Sequence, residues 1–253
     1  MDPILAIAGF LIGALVGMTG VGGGSLMTPF LLFYGIPPAI AVGTDLAYAA
    51  IAKSLGVWLR HKASSIDWRT AGLLMVGSLP ASVAVIAALD LLEVPSATFE
   101  FVITHVLGVA LILTAITIVG HRWLQGARTR MPELRGRTGV TIVAGAVLGA
   151  LVTLTSVGSG ALGTAMLLLL YPRWPVATVV GTDLAYAVPL TTAAALGHAY
   201  LGNVDLGYTL SLAIGALPGM YLGTGIGLNV REEVVRGVLS VLFLGIGLNF
   251  LVR

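Results

Sequence analysis

Apolar residues run through this chain in ten stretches, separated by short clusters of glycine, proline and charge. The stretches cover residues 4–18, 25–34, 39–59, 68–92 and 97–120, then 140–154, 161–171, 176–201, 206–228 and 234–252. A helix needs about 20 apolar residues to cross a bilayer. The last three stretches of each set of five reach about that length and predict spanning helices. The first two of each set are shorter and predict half-helices or a tight hairpin. Pro37-Pro38 and Pro172 to Pro175 mark turns. Pro80 and Pro218 fall inside long stretches, where they predict kinks that can serve as hinges.

The two sets are copies of each other. Residues 13–28 and 149–164 agree at 10 of 16 positions at an offset of 136, and they contain the clusters Gly22-Gly23-Gly24 and Gly158-Ser159-Gly160. Gly43-Thr44-Asp45-Leu46-Ala47-Tyr48-Ala49 recurs unchanged at 181–187, at an offset of 138. Asp67 matches Asp205 at the same offset, and residues 77–80 match 215–218. The chain therefore divides into a first transmembrane repeat over 1–120, a linker over 121–139 and a second repeat over 140–253.

Composition fixes the class as an all-α integral membrane protein. The 253 residues are 57% hydrophobic and 9% charged, and mean hydropathy is +1.01; a soluble domain is about 25% charged. The absence of cysteine excludes disulfides and thiolate chemistry. The start, Met1-Asp2-Pro3-Ile4, lacks the basic region of a signal peptide. The first apolar stretch also recurs internally, so it reads as part of the mature protein.

Charge placement changes the picture more than net charge does. Basic loops stay in the cytoplasm. The linker carries Arg122, Arg128, Arg130, Arg135 and Arg137 against Glu133 alone, which sets it inside. If the two short stretches of each repeat return the chain to the side it left, eleven of the thirteen Lys and Arg residues lie inside and Arg253 alone lies outside. Each repeat then crosses an odd number of times, and the second inserts upside down relative to the first. That is the inverted-topology plan of secondary transporters, with the site near the midplane. It predicts a multi-pass protein of the cytoplasmic (inner) membrane.

The candidate chemistry clusters in the repeated motifs. A glycine break inside apolar sequence exposes backbone groups that lipid cannot satisfy. At a helix start, free amides and the helix dipole make an anion site. The breaks offer Gly22, Gly23, Gly24, Gly158 and Gly160, with Thr19, Ser25, Thr155, Ser156 and Ser159 as hydroxyl donors beside them. Close helix packing through small residues is the bland alternative. Lys53 sits seven residues inside Arg60, about 10 Å of helix from the loop. A buried charge costs about 2.5 kcal/mol or more and marks a pathway or a partner; the expected roles are counter-charge for an anion, a salt bridge to Asp45 or, better placed, Asp183, or snorkelling towards the inner surface. Thr44-Asp45 and Thr182-Asp183 read either as helix caps or as coupling carboxylates with hydroxyl donors. Tyr48 and Tyr186, one turn on, line the same cavity or pack in the core. His105, with Glu100 and Thr104 nearby, and His198 read as interior groups. No cluster has metal-ligand spacing and no Gly-Lys-Ser/Thr follows the glycines, so neither a metal, a cofactor nor a nucleotide is expected.

Taken together, Val21-Gly22-Gly23-Gly24 followed by Pro29, Pro37-Pro38, Gly43-Thr44-Asp45, Val204-Asp205 and the basic linker resemble the TauE/SafE sulfite exporter family, also called TSUP, over nearly the whole chain. The resemblance implies a permease for sulfite, sulfoacetate and related sulfur-containing anions. It implies site residues in the two glycine motifs and at Thr44, Asp45, Thr182 and Asp183. The chain departs from the family pattern at Asp45 and Asp183, where many members carry Ser, and at Ser159 and Ala165 in the second motif.

The reading is a secondary transporter of small sulfur-containing oxyanions such as sulfite or organosulfonates. The alternative is an anion channel, or a permease for a non-sulfur organic anion. An enzyme is disfavoured because no nucleophile–base pair is present; a non-transporting subunit would lack anion affinity. The expected partners are the small anion, the lipid bilayer and a coupling ion, proton or sodium. A homodimer is compatible with the sequence, and no nucleic acid is expected.

Overall fold

A computed structural model describes residues 2–19, 24–61, 66–91, 96–127, 137–226 and 232–252. Among the described residues the elements are ten helices. The first repeat supplies α1 (Pro3–Thr19), α2 (Gly24–Phe33), α3 (Pro38–His61), α4 (Trp68–Leu91) and α5 (Ser96–Ala127). The second supplies α6 (Arg137–Thr155), α7 (Ala161–Leu170), α8 (Val176–Tyr200), α9 (Leu206–Ile226) and α10 (Glu232–Val252). All ten apolar stretches become helices, with most ends within a residue or two of those expected.

Two expectations need correction. The fifth stretch does not end at residue 120: α5 runs on to Ala127, and α6 starts at Arg137, so the linker is helical at both ends. Its middle, 128–136, lies outside the described residues. Nor is α6 a half-helix: its 19 residues are long and apolar enough to cross a membrane. Its partner α7, at ten residues or about 15 Å, is half the apolar thickness. Trp68–Leu91, Glu100–Gly120, Val176–Tyr200 and Leu206–Gly223 also qualify as spans.

Each short pair turns back on itself. Tyr34, just past α2, donates its hydroxyl to Asp2 Oδ2 at 2.8 Å, at the start of α1. That bond holds the Asp2 carboxyl below the usual carboxylate range and pushes the Tyr34 phenol up. The Asp2 N–H donates to Ser211 Oγ of α9 at 3.0 Å. In the second repeat Tyr171, just past α7, lies 2.9 Å from Thr141 Oγ1 of α6, with the Arg137 guanidinium 5.6 Å from its ring centre.

Packing exchanges a helix between the repeats. α1 lies on α9 and α6 on α4, while α3 pairs with α8 and α5 with α10. Swapping the two sets maps this pattern onto itself. Small residues set the close approaches. A Cβ at Gly9 or Gly13 would strike the α9 backbone at Leu212 and Ala216; one at Gly145 or Gly149 would strike α4 at Leu74 and Ser78, the same positions one repeat away. The cores match as well. Leu74, Leu148, Leu167 and Tyr186 build one; their equivalents Leu212, Ile12, Leu31 and Tyr48 build the other. So α4 belongs with α6, α7 and α8, and α9 with α1, α2 and α3. Exposed Val76, Val83, Ile116, Val119, Val143 and Val241 give the outer surface the apolar character that lipid requires.

Candidate functional site

The break between α6 and α7 is built by local backbone chemistry. α6 ends at Thr155, and Ser156 turns left-handed at φ 58°. Gly158 and Gly160 follow at φ 131° and 128°, a region that a β-carbon disfavours. The Thr155 hydroxyl donates to the Leu151 carbonyl at 2.7 Å and accepts the Val157 N–H at 3.1 Å. The N–H groups of Gly163 and Thr164 close onto the carbonyls of Gly158 and Gly160, both at 2.8 Å, and start α7. No side chain caps that start. Its first amides therefore face the break, where the helix dipole favours negative charge. Residues 155–160 are all buried, so the break lies in protein and not in lipid.

Three charged groups converge on it. Lys53, 4% exposed, reaches from α3 and donates to Ser159 Oγ and to the Ser159 carbonyl at 3.4 Å. Asp183 of α8 lies beside the Gly160 amide, and the Thr164 hydroxyl donates to its Oδ2 at 3.5 Å. Asp45 of α3 takes a short hydrogen bond from the Thr28 hydroxyl on its Oδ2. Thr28–Asp45 and Thr164–Asp183 are the same contact, one repeat apart. Lys53 makes its hydrogen bonds to Ser159 and not to Asp183, so a serine takes the place of the direct ion pair.

Unused polar atoms gather here. Oδ1 of both aspartates, the hydroxyls of Tyr48 and Tyr186 and the Ser156 hydroxyl are buried without a hydrogen-bond partner. Ser156 faces Asp45 without reaching hydrogen-bond geometry. Native proteins leave few such groups, and a cluster of them asks for an explanation.

Other candidates fall elsewhere. Thr44 and Thr182 are not helix caps, because α3 starts at Pro38 and α8 at Val176. Their hydroxyls accept the N–H groups of Asp205 (3.2 Å) and Asp67 (3.0 Å), tying α9 to α3 and α4 to α8. Asp67 and Asp205 are the caps: each Oδ1 accepts an amide three residues on, from Thr70 and Tyr208, at 2.8 Å. The Thr155 hydroxyl is likewise engaged by backbone, at the Leu151 carbonyl and the Val157 N–H. Gly24 opens α2, whereas Gly22, Gly23 and the side chains of Thr19 and Ser25 lie outside the described residues. His105 Nδ1 donates to the Phe101 carbonyl at 2.9 Å and Thr104 to the Glu100 carbonyl at 2.7 Å, so both bonds stay within one helix turn. His198 is buried, with Nε2 on the Thr153 carbonyl at 2.9 Å. The carboxylate partners Thr28 and Thr164 carry one signal in the sequence: they are the last matched pair of the first repeated motif.

A family model described as the sulfite exporter TauE/SafE matches residues 5–250. The chain belongs to the TauE/SafE sulfite exporter family. It is 38% identical over 228 residues to the probable membrane transporter protein YjnA of Bacillus subtilis, covering 88% of this chain and 89% of that one. It is 26% identical over 226 residues to the probable membrane transporter protein MJ0441 of Methanocaldococcus jannaschii, covering 85% and 78%. YunE of Bacillus subtilis, with the same description, is 24% identical over 251 residues, covering 92% and 90%. No solved structure matches the chain significantly. This TauE/SafE protein is a multi-pass membrane transporter, not an enzyme.

Proposed function

We propose that this TauE/SafE protein is a secondary transporter of small sulfur-containing oxyanions, sulfite or organosulfonates, across the cytoplasmic membrane. The observation that carries the reading is Lys53, buried at the α6–α7 break and bonded to Ser159 beside an uncapped helix start. An oxyanion there receives the first amides of α7, the hydroxyls of Ser156 and Ser159 and the Lys53 ammonium. Those donors are preorganised, and water is excluded by the surrounding core. The family description supports the sulfur class.

The two repeats run in opposite senses across the membrane. The closure of each hairpin, at Tyr34–Asp2 and Tyr171–Thr141, supports this, because each repeat is then left with three crossings. The basic loops put the Arg137 end in the cytoplasm. Movement of α1, α2, α3 and α9 against α4, α6, α7 and α8 would expose the site to each side in turn, driven by a coupling proton or sodium ion.

Flux of labelled sulfite into vesicles tests the proposal. Lys53→Ala and Gly160→Val should each lower it at least tenfold, whereas equal flux in wild type and Lys53→Ala contradicts it. Currents far above transporter turnover favour the channel.

A further inference from the structure

We infer that each anion binds to this site together with a proton, carried by Asp183. The inference rests on the anion site proposed above and names its coupling ion.

Asp183 stands where the anion would bind. Its carboxylate lies beside the Gly160 amide at the start of α7, takes the Thr164 hydroxyl and shares the field of Lys53. A carboxylate and an oxyanion cannot both use that positive end. The charge count says the same. One cation, Lys53, faces two aspartates, 0% and 2% exposed, so with all three ionised the site already holds one surplus negative charge. A further anion would add buried charge with nothing to compensate it, which is strongly unfavourable. Protonating Asp183 removes the competitor at the helix start, and a singly charged anion that enters with that proton leaves the net charge of the site unchanged.

The surroundings suit a carboxyl that gains and loses a proton. Its Oδ1 has no partner, and neither has the Tyr186 hydroxyl; both border the space above Gly163, where a Cβ would strike them. The ionisable groups acting on the two aspartates are Lys53 and Tyr48 of α3 and Tyr186 of α8. α2 and α7 offer the hydroxyls of Thr28 and Thr164, and the break offers Ser156. Among the described residues, α5, α6 and α9 direct no charged side chain at the pair; His198 of α8 is turned to Thr153. The proton passes from solvent to an Asp183 oxygen on binding and returns to solvent on release, and no bond to the anion forms. Linkage is reciprocal, so lower pH tightens anion binding, by about tenfold per pH unit where Asp183 is ionised without the anion.

Calorimetry of sulfite binding in two buffers of different ionisation heat counts the protons taken up. Sulfite titrates on its own account, so the readout is the difference between wild type and Asp183→Asn, whose amide cannot take a proton. About one proton more per anion in wild type, with a flattened pH dependence in the variant, is the expected result. Equal proton counts in wild type, Asp183→Asn and Asp45→Asn overturn the inference while the anion site stands. No heat with wild type at any pH overturns the site as well. A second measurement needs no variant. Wild-type vesicles should accumulate sulfite beyond protein-free vesicles under a pH gradient, acid outside; accumulation driven by a sodium gradient alone overturns the proton.

Discussion

Ser156 holds a left-handed backbone at the position that the first repeat fills with Gly20. That conformation costs a residue with a Cβ about 1–2 kcal/mol. The side chain that imposes the cost ends in a buried hydroxyl with no partner, facing Asp45. A strained residue with an idle donor fits a group held ready for a ligand. Ser156→Gly should relieve the backbone, and glycine's own entropy cost of about 0.5–1 kcal/mol offsets part of the gain. We expect thermal unfolding to show a stability gain of up to about 1 kcal/mol, while sulfite flux falls several-fold. Unchanged flux would make Ser156 a mere turn residue. At this scale the sequence was half legible. Lys53, Ser159 and Asp183 stood out because a charge or a hydroxyl beside glycine is rare in apolar sequence. Thr44 and Thr182 misled, because Thr-Asp is also the signature of a helix cap. Their actual partners, the Asp205 and Asp67 amides, lie 161 and 115 residues away.

Helix ends were legible because Pro, Gly and charge interrupt each apolar run. Helix pairing was not, since nothing local says that α4 leaves its own repeat to lie on α6. The seam glycines encode that choice, and they resemble any small residue until the opposing backbone is placed against them. Gly149 meets the Ser78 backbone, so Gly149→Leu must push α4 and α6 apart. It should cost about 1–3 kcal/mol, read as a lower unfolding temperature in detergent. Gly72, on the same α4, has nothing within 4 Å of a Cβ. Gly72→Ala should instead stabilise by about 0.5–1 kcal/mol through helix propensity. Equal effects at the two positions would mean that the seam is not the contact that orders α4.

Among the described residues, two equivalent cores meet at α3–α8, and a third apolar cluster lies where α5 packs on α10. The repeat was plain in the sequence; the exchange of α4 and α9 makes the packed units different from the sequence halves. The opposed senses of the repeats are open to a direct check, because the chain has no cysteine. Single cysteines at His61 and Asn203, treated with a membrane-impermeant thiol reagent, should react from opposite sides. Reaction of both from one side would contradict the inverted arrangement. Substrate identity is the least legible feature, since amides, hydroxyls and one lysine accept many small oxyanions.

Equilibrium binding of labelled sulfite to the purified protein tests the central claim, a buried anion site at the α6–α7 break. Wild type should bind saturably, and Lys53→Gln should weaken binding at least tenfold with its unfolding temperature kept. Equal affinity in the two proteins would contradict the account.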